Sequence, residues 1–315
     1  MHTGPIIILS GGLSPERDVS LRSGRRVAEA LRRRDVEVDV VDVDENLAAH
    51  LRDRGPSCVI PLVHGAVGED GALHRLISGL NLPYVGSTAD GCSLAFDKPT
   101  ANRHVHEAGV AVPEFIVLAH STVREQGARE VLAAAVAHIG LPLIVKPSQG
   151  GSSLGVSVVR DEGELPAAMV SAFAYGDNAI VQSFIEGTEV AVSVLDTGDG
   201  AQALPVVEIR ADGGIYDYHA RYTAGSTEFA VPAHLPAETL AACERTAVTI
   251  HHALGLRDWS RSDLIADSQG RVWFLEANVA PGMTETSTYP QAVHAAGLHM
   301  GDIVETLIKQ AIQRG

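Results

Sequence analysis

The sequence predicts an α/β fold, α+β overall, and three observations support this prediction. Short apolar runs alternate with amphipathic helical segments in the amino-terminal part of the chain. Two of these runs, residues 5–10 and 59–63, end directly before glycine-containing turns. Farther along, apolar strands are joined by turn-forming segments typical of hairpins. Strands that alternate with helices indicate a parallel sheet, whose binding loops lie at the carboxyl ends of its strands.

The amino-terminal unit is predicted from its turns. Its strands are residues 5–10, 36–43 and 59–63, and a helix opens at Ser14-Pro15-Glu16. Serine as a cap, proline at the first helical position and an acid in the first turn are typical of a helix start. Glu16, His64 and Glu69 all follow strand ends. Glu16 is therefore either an ordinary helix-terminus acid or a carboxylate that binds an ammonium group. The turn GGLSPE lacks the G-x-G-x-x-G spacing of a dinucleotide site, which disfavours a dehydrogenase.

A segment rich in glycine and serine, KPSQGGSSLGV at 146–156, follows predicted helices at 98–109 and 131–139 and a strand at 143–146. Another apolar strand comes next, at 156–159, so the segment is predicted to be a hairpin loop. Successive backbone N–H groups and hydroxyls in such a loop can surround phosphate oxygens. The lysine stands before the loop, unlike the pattern G-x-x-x-x-G-K-[ST]. Taken alone, the segment fits a mobile surface hairpin equally well.

Further strands are predicted at 179–184 and 189–195, and helices at 237–256 and 291–314. Between the strands, the amide of Gln182 could face a purine base and the carboxylate of Glu189 could face ribose hydroxyls. The stretch 215–227 (IYDYHARYTAGST) is polar and aromatic without a clear period, which predicts a long loop. Loops of this kind often act as lids over a site. Arg221 and Tyr222 are its most chemically useful members.

Three hard-oxygen side chains come together late in the chain. Predicted strands at 264–266 and 271–275 place Asp263 just before the first strand, beside Glu276 and Asn278 at the end of the second. Glu276 and Asn278 share one face of an extended chain. Two carboxylates and an amide oxygen, without Cys or His, suit Mg²⁺ or Mn²⁺ better than zinc.

Groups suited to anions surround the same hairpin. Arg261 beside a cation site is useful for an oxyanion or a transferring phosphoryl group. Gly282 leaves a backbone N–H approachable, because glycine has no side chain to shield it. Ser287 and Thr288 offer hydroxyls and N–H groups that could hold a small carboxylate. A solvated hairpin would explain the acids alone, but the combination favours a functional site.

The composition is that of an ordinary globular protein of 315 residues, long enough for two or three domains, with 45% apolar and 20% charged residues. The net charge of −15 argues against nucleic-acid binding, because basic residues are too few to neutralise a phosphate backbone. Cys58, Cys92 and Cys243 are far apart and predict buried free thiols in a reducing compartment. No run of apolar residues suits a membrane span, and no signal-like region is seen, so we expect a soluble cytoplasmic protein.

With these segments in place, the chain resembles the D-alanine–D-alanine ligases of the ATP-grasp superfamily over nearly its whole length. The shared motifs, in the family's order, are GGLSPERDVSLRSG, VHGAVGEDG, LPYVGS, FDK, VKPSQGGSSLGV, EGTEVAV, YDYHARY and RSD…EANVAPGMT. One such motif is weak, but eight in register are specific. The resemblance implies an amino-terminal parallel α/β domain, 1–94, followed by a two-lobed ATP-grasp domain, 95–315. Its first lobe, 95–178, would hold the phosphate loop, and its second, 179–315, the lid and the metal site.

The resemblance also implies a reaction. ATP would phosphorylate the carboxylate of a first D-alanine, and the amine of a second would attack the acyl phosphate to give D-alanyl-D-alanine for peptidoglycan precursors. Two Mg²⁺ ions, with Mn²⁺ as an alternative, would be held by Asp263, Glu276 and Asn278. The residues that match the family's ATP site are Lys98, Lys146, Ser152, Ser153, Gly155, Gln182, Phe184, Ile185 and Glu189.

The amino-acid sites are implied in the same way. Glu16 would take the ammonium of the first substrate. With Ser152 and Tyr222, it also matches a trio that joins amino-terminal domain, loop and lid in the closed state. The remaining matches are Arg261 with the N–H of Gly282 for an oxyanion hole, His64 for substrate, and Ser287 with Thr288 for the second substrate's carboxylate.

Three positions depart from the family's usual pattern. Arg221 replaces a lysine near the γ-phosphate, Gln182 replaces a glutamate near adenine, and Asp18 replaces a second glutamate in the first motif. Arginine still binds phosphate, but it is planar and bulkier than lysine. Relatives that form the D-alanyl–D-lactate ester lack this tyrosine pattern in the lid, so the resemblance at Tyr222 favours dipeptide formation. Two alternatives stay open: an ATP-grasp ligase for another amino acid pair in a secondary pathway, and a nucleotide- or amino-acid-binding protein without turnover. A homodimer is the expected assembly.

Overall fold

The computed structural model describes residues 4–211 and 227–315. Within these residues, helices pack on three β-sheets, one parallel and two antiparallel. The predicted α/β fold, α+β overall, is therefore confirmed.

The parallel sheet lies at the amino terminus and has the strand order β2-β1-β3. Its strands are β1 (Gly4–Ser10), β2 (Val38–Asp42) and β3 (Pro56–Pro61), and its helices are α1 (Arg17–Arg32), α2 (Leu47–Arg54), α3 (Ala66–Glu69) and α4 (Ala72–Gly79). The central strand β1 is apolar because both faces of a parallel sheet are covered. Its Ile7, Ile8 and Leu9 are fully buried. The carboxyl ends of β1 and β3 lie at the same edge, which is where the predicted site residues follow.

Helix α1 begins later than the sequence predicted. Arg17 is its first residue, and Glu16 is the N-cap without a side-chain capping bond. The Ser14 hydroxyl accepts a hydrogen bond from the Glu16 N–H at 3.2 Å and donates one to the carbonyl of His64 at 2.8 Å. Ser14 therefore ties the turn after β1 to the end of β3 instead of capping the helix.

An antiparallel sheet with the order β4-β7-β5-β6 follows. Helices α5 (Ala89–Phe96) and α6 (Lys98–Glu107) lead to it. Its elements are β4 (Phe115–Ala119), α7 (His120–Glu125), α8 (Ala128–Ile139), β5 (Leu143–Pro147), β6 (Ser157–Val159), α9 (Leu165–Phe173) and β7 (Asn178–Ser183), with a 3₁₀ turn at Glu162–Glu164. The pairing of β5 with β6 makes the glycine- and serine-rich segment a hairpin loop, as predicted.

The other antiparallel sheet has the order β11-β10-β8-β12-β13, with β9 paired to β8. Its elements and the helices around it are β8 (Thr188–Leu195), β9 (Gln202–Ala203), β10 (Val207–Ala211), β11 (Thr227–Ala230), α10 (Ala237–Ala253), β12 (Trp259–Ala266), β13 (Val272–Asn278), α11 (Thr288–Ala295) and α12 (Met300–Arg314). The predicted terminal helical stretch 291–314 is two helices, α11 and α12. The predicted loop 215–227 lies outside the described residues except for Thr227, which opens β11.

The predicted boundaries between units, at 94/95 and 178/179, stay predictions, and they fall at α5 and at β7. Position 94/95 falls inside α5, whose Cys92 and Ala95 pack in the core beneath β12 and β13. Position 178/179 falls at the start of β7. The antiparallel sheet that contains β5 and β7 therefore extends through Ser183. The parallel sheet and the last sheet also share one core, in which Ile8 and Trp259 belong to the same cluster.

All three cysteines are buried and free, in agreement with the sequence prediction. Of the helices in the described ranges, none has both the length and the apolar character needed to cross a membrane.

Candidate active site

The hairpin of β12 and β13 aligns the predicted metal ligands. Asp263 lies directly opposite Glu276, and Arg261 opposite Asn278, across the antiparallel pair. The sequence predicted that Asp263 stands just before this strand. Strand β12 begins at Trp259, however, so Asp263 lies within it. The strand is longer because all of its residues also pair with β8. A register shift after Asp263 marks a bulge, a feature that is frequent beside active sites.

Both carboxylates of the hairpin contact cations of the chain. Arg261 makes a bidentate contact with Asp263, through Nε at 2.7 Å and Nη2 at 2.8 Å. The Nζ of Lys98 lies 3.4 Å from Oε2 of Glu276. All four side chains are at most 24% exposed, so solvent screens the pairs weakly and they hold one another in place.

The oxygen donors of the hairpin fit a hard divalent cation. In the part of the chain that the structure describes, no three His, Cys, Asp or Glu side chains form a metal cluster by themselves. Two carboxylates and Asn278 leave several positions of a six-ligand shell for water and phosphate oxygens, which is how Mg²⁺ is usually held. The Asn278 Oδ1 accepts the N–H of Ala280 at 2.9 Å and keeps a second lone pair.

Two adjoining cavities open at this hairpin, with volumes of about 320 and 430 Å³. We call them the small cavity and the large cavity. The residues that line both are Lys98, Gly150, Gly151, Asp263 and Glu276. The carboxylates and Lys98 therefore lie between the two cavities, where a group could pass from a ligand in one to a ligand in the other.

The large cavity combines a buried amine with apolar walls. The Nζ of Lys146 lies 3.4 Å from the carbonyl oxygen of Leu275. Loss of hydration, aided by repulsion from Lys98, lowers the pKa of Lys146 to about 8, although Glu276 acts in the opposite direction. The predicted residues Gln182, Phe184, Ile185, Glu189 and Ser153 line this cavity, together with Ile144, Ile265 and Leu275, which no motif had marked. The amine suits phosphate oxygens, and the apolar walls suit a planar base.

The small cavity is polar and joins three parts of the chain. Glu16 lines it, and the hydroxyl of Ser152 donates a hydrogen bond to its carboxylate, so the β5–β6 loop contacts the turn after β1. His64 is buried, with its Nε2 3.1 Å from the hydroxyl of Ser23. Burial lowers the pKa of His64 to about 4, so the ring is neutral at pH 7. The other predicted residues that line this cavity alone are Arg261, Asn278, Gly282, Ser287 and Thr288.

Comparison with known proteins shows the family of this chain. The family described as D-ala D-ala ligase C-terminus matches residues 104–309. The D-alanine–D-alanine ligase of Desulforudis audaxviator is 39% identical, over 98% of this chain and 98% of its own length. That of Syntrophotalea carbinolica is 38% identical, over 98% of this chain and 96% of its own. The chain belongs to the D-alanine–D-alanine ligase family. A solved structure, the VanG D-Ala:D-Ser ligase from Enterococcus faecalis, superposes with a TM-score of 0.82 at 28% identity, covering 98% of this chain and 99% of that one.

The loop between β5 and β6 contains two serines with left-handed backbone angles. Ser152 and Ser153 have φ angles of 54° and 56°, a left-handed region that costs non-glycine residues energy. Gly155 has a φ of 72° and lines neither cavity. A Cβ there would lie 2.7 Å from Cδ2 of Tyr175 and 3.0 Å from Cγ of Pro147. Gly155 thus fixes the shape of the loop by close packing, and the closure of this loop over the phosphates stays a prediction.

Two predicted residues of the family's lid, Arg221 and Tyr222, lie outside the described residues. Of the expected trio, the described pair is Glu16 and Ser152, which are in contact. Ser152 also takes part in an interaction beyond this pair.

The sequence prediction did not select Glu69, although it recognised that Glu69 follows a strand end. Its carboxylate lines the small cavity, is 8% exposed and accepts the N–H of Gly65 at 2.8 Å. Burial and the neighbouring Glu16 raise the pKa of Glu69 to about 8. The motif VHGAVGEDG contains a second acid, Asp70, directly after Glu69, so polarity alone did not single out Glu69. Other lining residues that were missed are Val19, Arg22, Phe229, Thr284 and Thr286.

Proposed function

We propose that the chain joins two D-alanines into D-alanyl-D-alanine, with conversion of ATP to ADP and phosphate. One observation carries the proposal: Lys146 and Arg261, from different sheets, line adjoining cavities that are separated by Asp263 and Glu276. Membership of the ligase family supports the same reaction. The large cavity takes ATP, and the small cavity takes the amino acids.

The first D-alanine sits with its ammonium at the Glu16 carboxylate. The neutral ring of His64 lies in the same cavity and adds no charge there. The carboxylate of this first D-alanine then faces the boundary between the cavities, where the Nζ of Lys98 lies 3.4 Å from Oε2 of Glu276 and offers a positive charge. Oxygen of that carboxylate attacks the γ-phosphorus of ATP, ADP leaves, and an acyl phosphate forms.

The second D-alanine is held by its carboxylate at Ser287 and Thr288, and its amine attacks the acyl carbon. The guanidinium of Arg261 and the N–H of Gly282 stabilise the developing oxyanion. Removal of one such donor costs about 3 kcal/mol of transition-state stabilisation. Phosphate leaves with the electron pair of the C–O bond, and the amine releases a proton.

Asp263, Glu276 and Asn278 are the residues that we propose hold Mg²⁺. A bound divalent cation supplies charge neutralisation for phosphoryl transfer. Since both carboxylates already contact cations, metal binding has to compete with Arg261 and Lys98.

A second candidate function is ligation of D-alanine to a different acceptor in a secondary pathway. Gln182 and Arg221, which depart from the family's usual residues, favour it, as does the likeness to a D-Ala:D-Ser ligase. The non-catalytic alternative predicts ATP binding without turnover for any amino acid. A homodimer and a cytoplasmic location remain predictions, and light scattering of the purified chain tests the first.

The deciding experiment measures ADP formation by the purified chain with ATP, Mg²⁺ and each D-amino acid in turn, and identifies products by mass spectrometry. We expect ADP and D-alanyl-D-alanine in equal amounts with D-alanine alone. Chelation of the metal should stop turnover, and Mg²⁺ or Mn²⁺ should restore it. Absence of ADP formation that depends on D-alanine would contradict the proposal.

A further inference from the structure

The segment 279–287, which carries Gly282, belongs to neither a helix nor a strand. Backbone outside regular structure is held in place by the hydrogen bonds that it makes elsewhere. Bonds between near neighbours shape the segment internally. The N–H of Met283, directly after Gly282, instead donates to the hydroxyl of Ser23 at 3.0 Å, across 260 positions of the sequence. This bond ties the segment to helix α1.

The hydroxyl of Ser23 is itself held by His64. Ser23 is fully buried and His64 is 4% exposed. Nε2 of the ring lies 3.1 Å from the hydroxyl oxygen. Because the ring is neutral, one of its two nitrogens can accept a hydrogen bond. The network assigns this role to Nε2, so the Ser23 hydroxyl donates to the ring and accepts the N–H of Met283.

The ring of His64 also approaches the segment at a second point. Burial has the largest effect on the pKa of His64 and lowers it, whereas the backbone of Ala280 acts to raise it. A backbone group that favours protonation of the ring lies close to it. His64 and Ser23 therefore contact the segment on both sides of Gly282, at Ala280 and at Met283.

We propose that Ser23 is a positioning residue for the second chemical step, and that its hydroxyl holds the turn in which the N–H of Gly282 faces the oxyanion. The inference rests on the proposed function. In the described part of the chain, Ser23 lines neither cavity, so it acts through the turn. A second contact from α1, between Arg26 and Glu285 at 3.7 Å, adds little because the side chains are 41% and 91% exposed.

Loss of this hydroxyl should affect one step of the reaction and spare another. A displacement of about 1 Å in a group that orients the reaction can lower its rate about 10²-fold. Gly282 lines the small cavity, whereas ATP is proposed to occupy the large one. We therefore expect slower bond formation with unchanged ATP binding.

The test compares Ser23→Ala with Ser20→Ala. Ser20 lies on the same helix, is equally buried and also makes two hydrogen bonds, from the N–H of Gly11 at 2.8 Å and to the carbonyl of Leu62 at 2.6 Å. Both variants lose a buried hydroxyl, so Ser20→Ala controls for a purely structural effect. Rates are expressed per ATP-binding site, found by titration, so that unfolded protein is not counted.

We expect Ser23→Ala to lower kcat for D-alanyl-D-alanine formation about ten- to a hundredfold, with KM for ATP within about twofold of wild type. Ser20→Ala should keep both constants within about twofold. Equal kcat values for the two variants would overturn the inference alone. A wild-type chain without ADP formation that depends on D-alanine would contradict the proposed function instead.

Ser23→Cys decides the question if Ser23→Ala does not fold. A thiol is close in size to a hydroxyl but forms only weak hydrogen bonds. We expect kcat to fall at least about threefold, again with KM for ATP unchanged. A Ser23→Cys enzyme with the kcat of wild type would overturn the inference.

Discussion

At the residue scale, Arg261 is held in place by two hydrogen bonds to Asp263, at 2.7 and 2.8 Å. Arg261→Lys keeps the charge but cannot form the fork-shaped contact, so the oxyanion loses its aligned donor. We expect kcat to fall about 10²–10³-fold with D-alanine. Arg271→Lys is the control, since Arg271 stacks on Trp273 at the far end of the hairpin. An Arg261→Lys enzyme with unchanged kcat would argue against an oxyanion role.

The buried amine of Lys146 is expected to lower the free energy of unfolding while it strengthens ATP binding. Its pKa is about 8 in the fold, against 10.5 for an ordinary lysine, so burial of the charge costs stability at pH 7. Lys146→Met should therefore raise the free energy of unfolding at pH 7, by about 1–3 kcal/mol, and weaken ATP binding at least tenfold. Between pH 8 and 10.5 the unfolded lysine keeps a proton that the folded one has lost. The wild type gains stability with pH in that window, and the advantage of the variant shrinks.

Denaturant titrations at pH 7 and pH 10, with nucleotide binding measured in parallel, check both halves. Lys309→Met is the control, because the side chain of Lys309 is 66% exposed. Equal stability of wild type and Lys146→Met at both pH values would contradict the cost of burying this amine.

Site residues could be predicted from the sequence where they carry oxygen or nitrogen ligand atoms and stand near turns. Asp263, Glu276 and Lys146 were chosen on those grounds, and all three line the cavities. Ile144 and Leu275 were not, because an apolar residue on a strand looks the same whether it faces a core or a cavity. Glu69 was missed because its burial depends on packing among distant segments.

At the element scale, the β5–β6 loop depends on Gly155. Gly155→Ala puts a Cβ 2.7 Å from Tyr175 at a φ of 72°, so the loop has to shift. We expect the KM for ATP to rise about tenfold, with a loss of stability near 1 kcal/mol. Gly176→Ala is a matched control, because no atom lies within 4 Å of a Cβ built there. Steady-state kinetics of both variants check the prediction, and equal KM values would contradict it.

Hairpins were the elements best predicted from the sequence, since turn residues mark them locally. The β12–β13 hairpin and the β5–β6 hairpin were both expected. The length of β12 was not, because its first residues become a strand only by pairing with β8. The start of α1 also shifted, because the Ser14 hydroxyl bonds to the His64 carbonyl, far away in the sequence.

At the scale of the whole molecule, Asp258 connects the chain's carboxyl end to the amino-terminal part. Its carboxylate accepts two hydrogen bonds from the guanidinium of Arg314, at 2.7 and 2.8 Å, and one from the N–H of Gly86 at 2.7 Å. Asp258 is 1% exposed, so Arg314→Ala leaves a buried charge poorly paired. We expect a loss of about 2–3 kcal/mol in the free energy of unfolding.

Arg54→Ala is the control for that prediction. It removes an ion pair with Asp39 whose side chains are 51% and 38% exposed, and solvent-exposed pairs contribute little. Thermal unfolding of both variants separates the two cases. Equal melting temperatures would show that the Asp258 contact does not stabilise the packed molecule.

The packing of helices between the units could not be predicted from motifs, because it depends on which core each helix joins. Helix α5 follows the parallel sheet in sequence but packs beneath β12 and β13. The shared core around Trp259 likewise joins segments far apart in the chain. The order of units was readable from the sequence, and their contacts were not.

The central claim is that the two cavities activate a small carboxylic acid by phosphoryl transfer. The most direct test uses D-alanine labelled with ¹⁸O in its carboxylate, with ATP and Mg²⁺, and analyses the released phosphate by mass spectrometry. Because the carboxylate oxygen becomes the bridging oxygen of an acyl phosphate, the account predicts one ¹⁸O atom in each phosphate that forms with a dipeptide. Unlabelled phosphate, with all the label retained in amino acid and dipeptide, would contradict it.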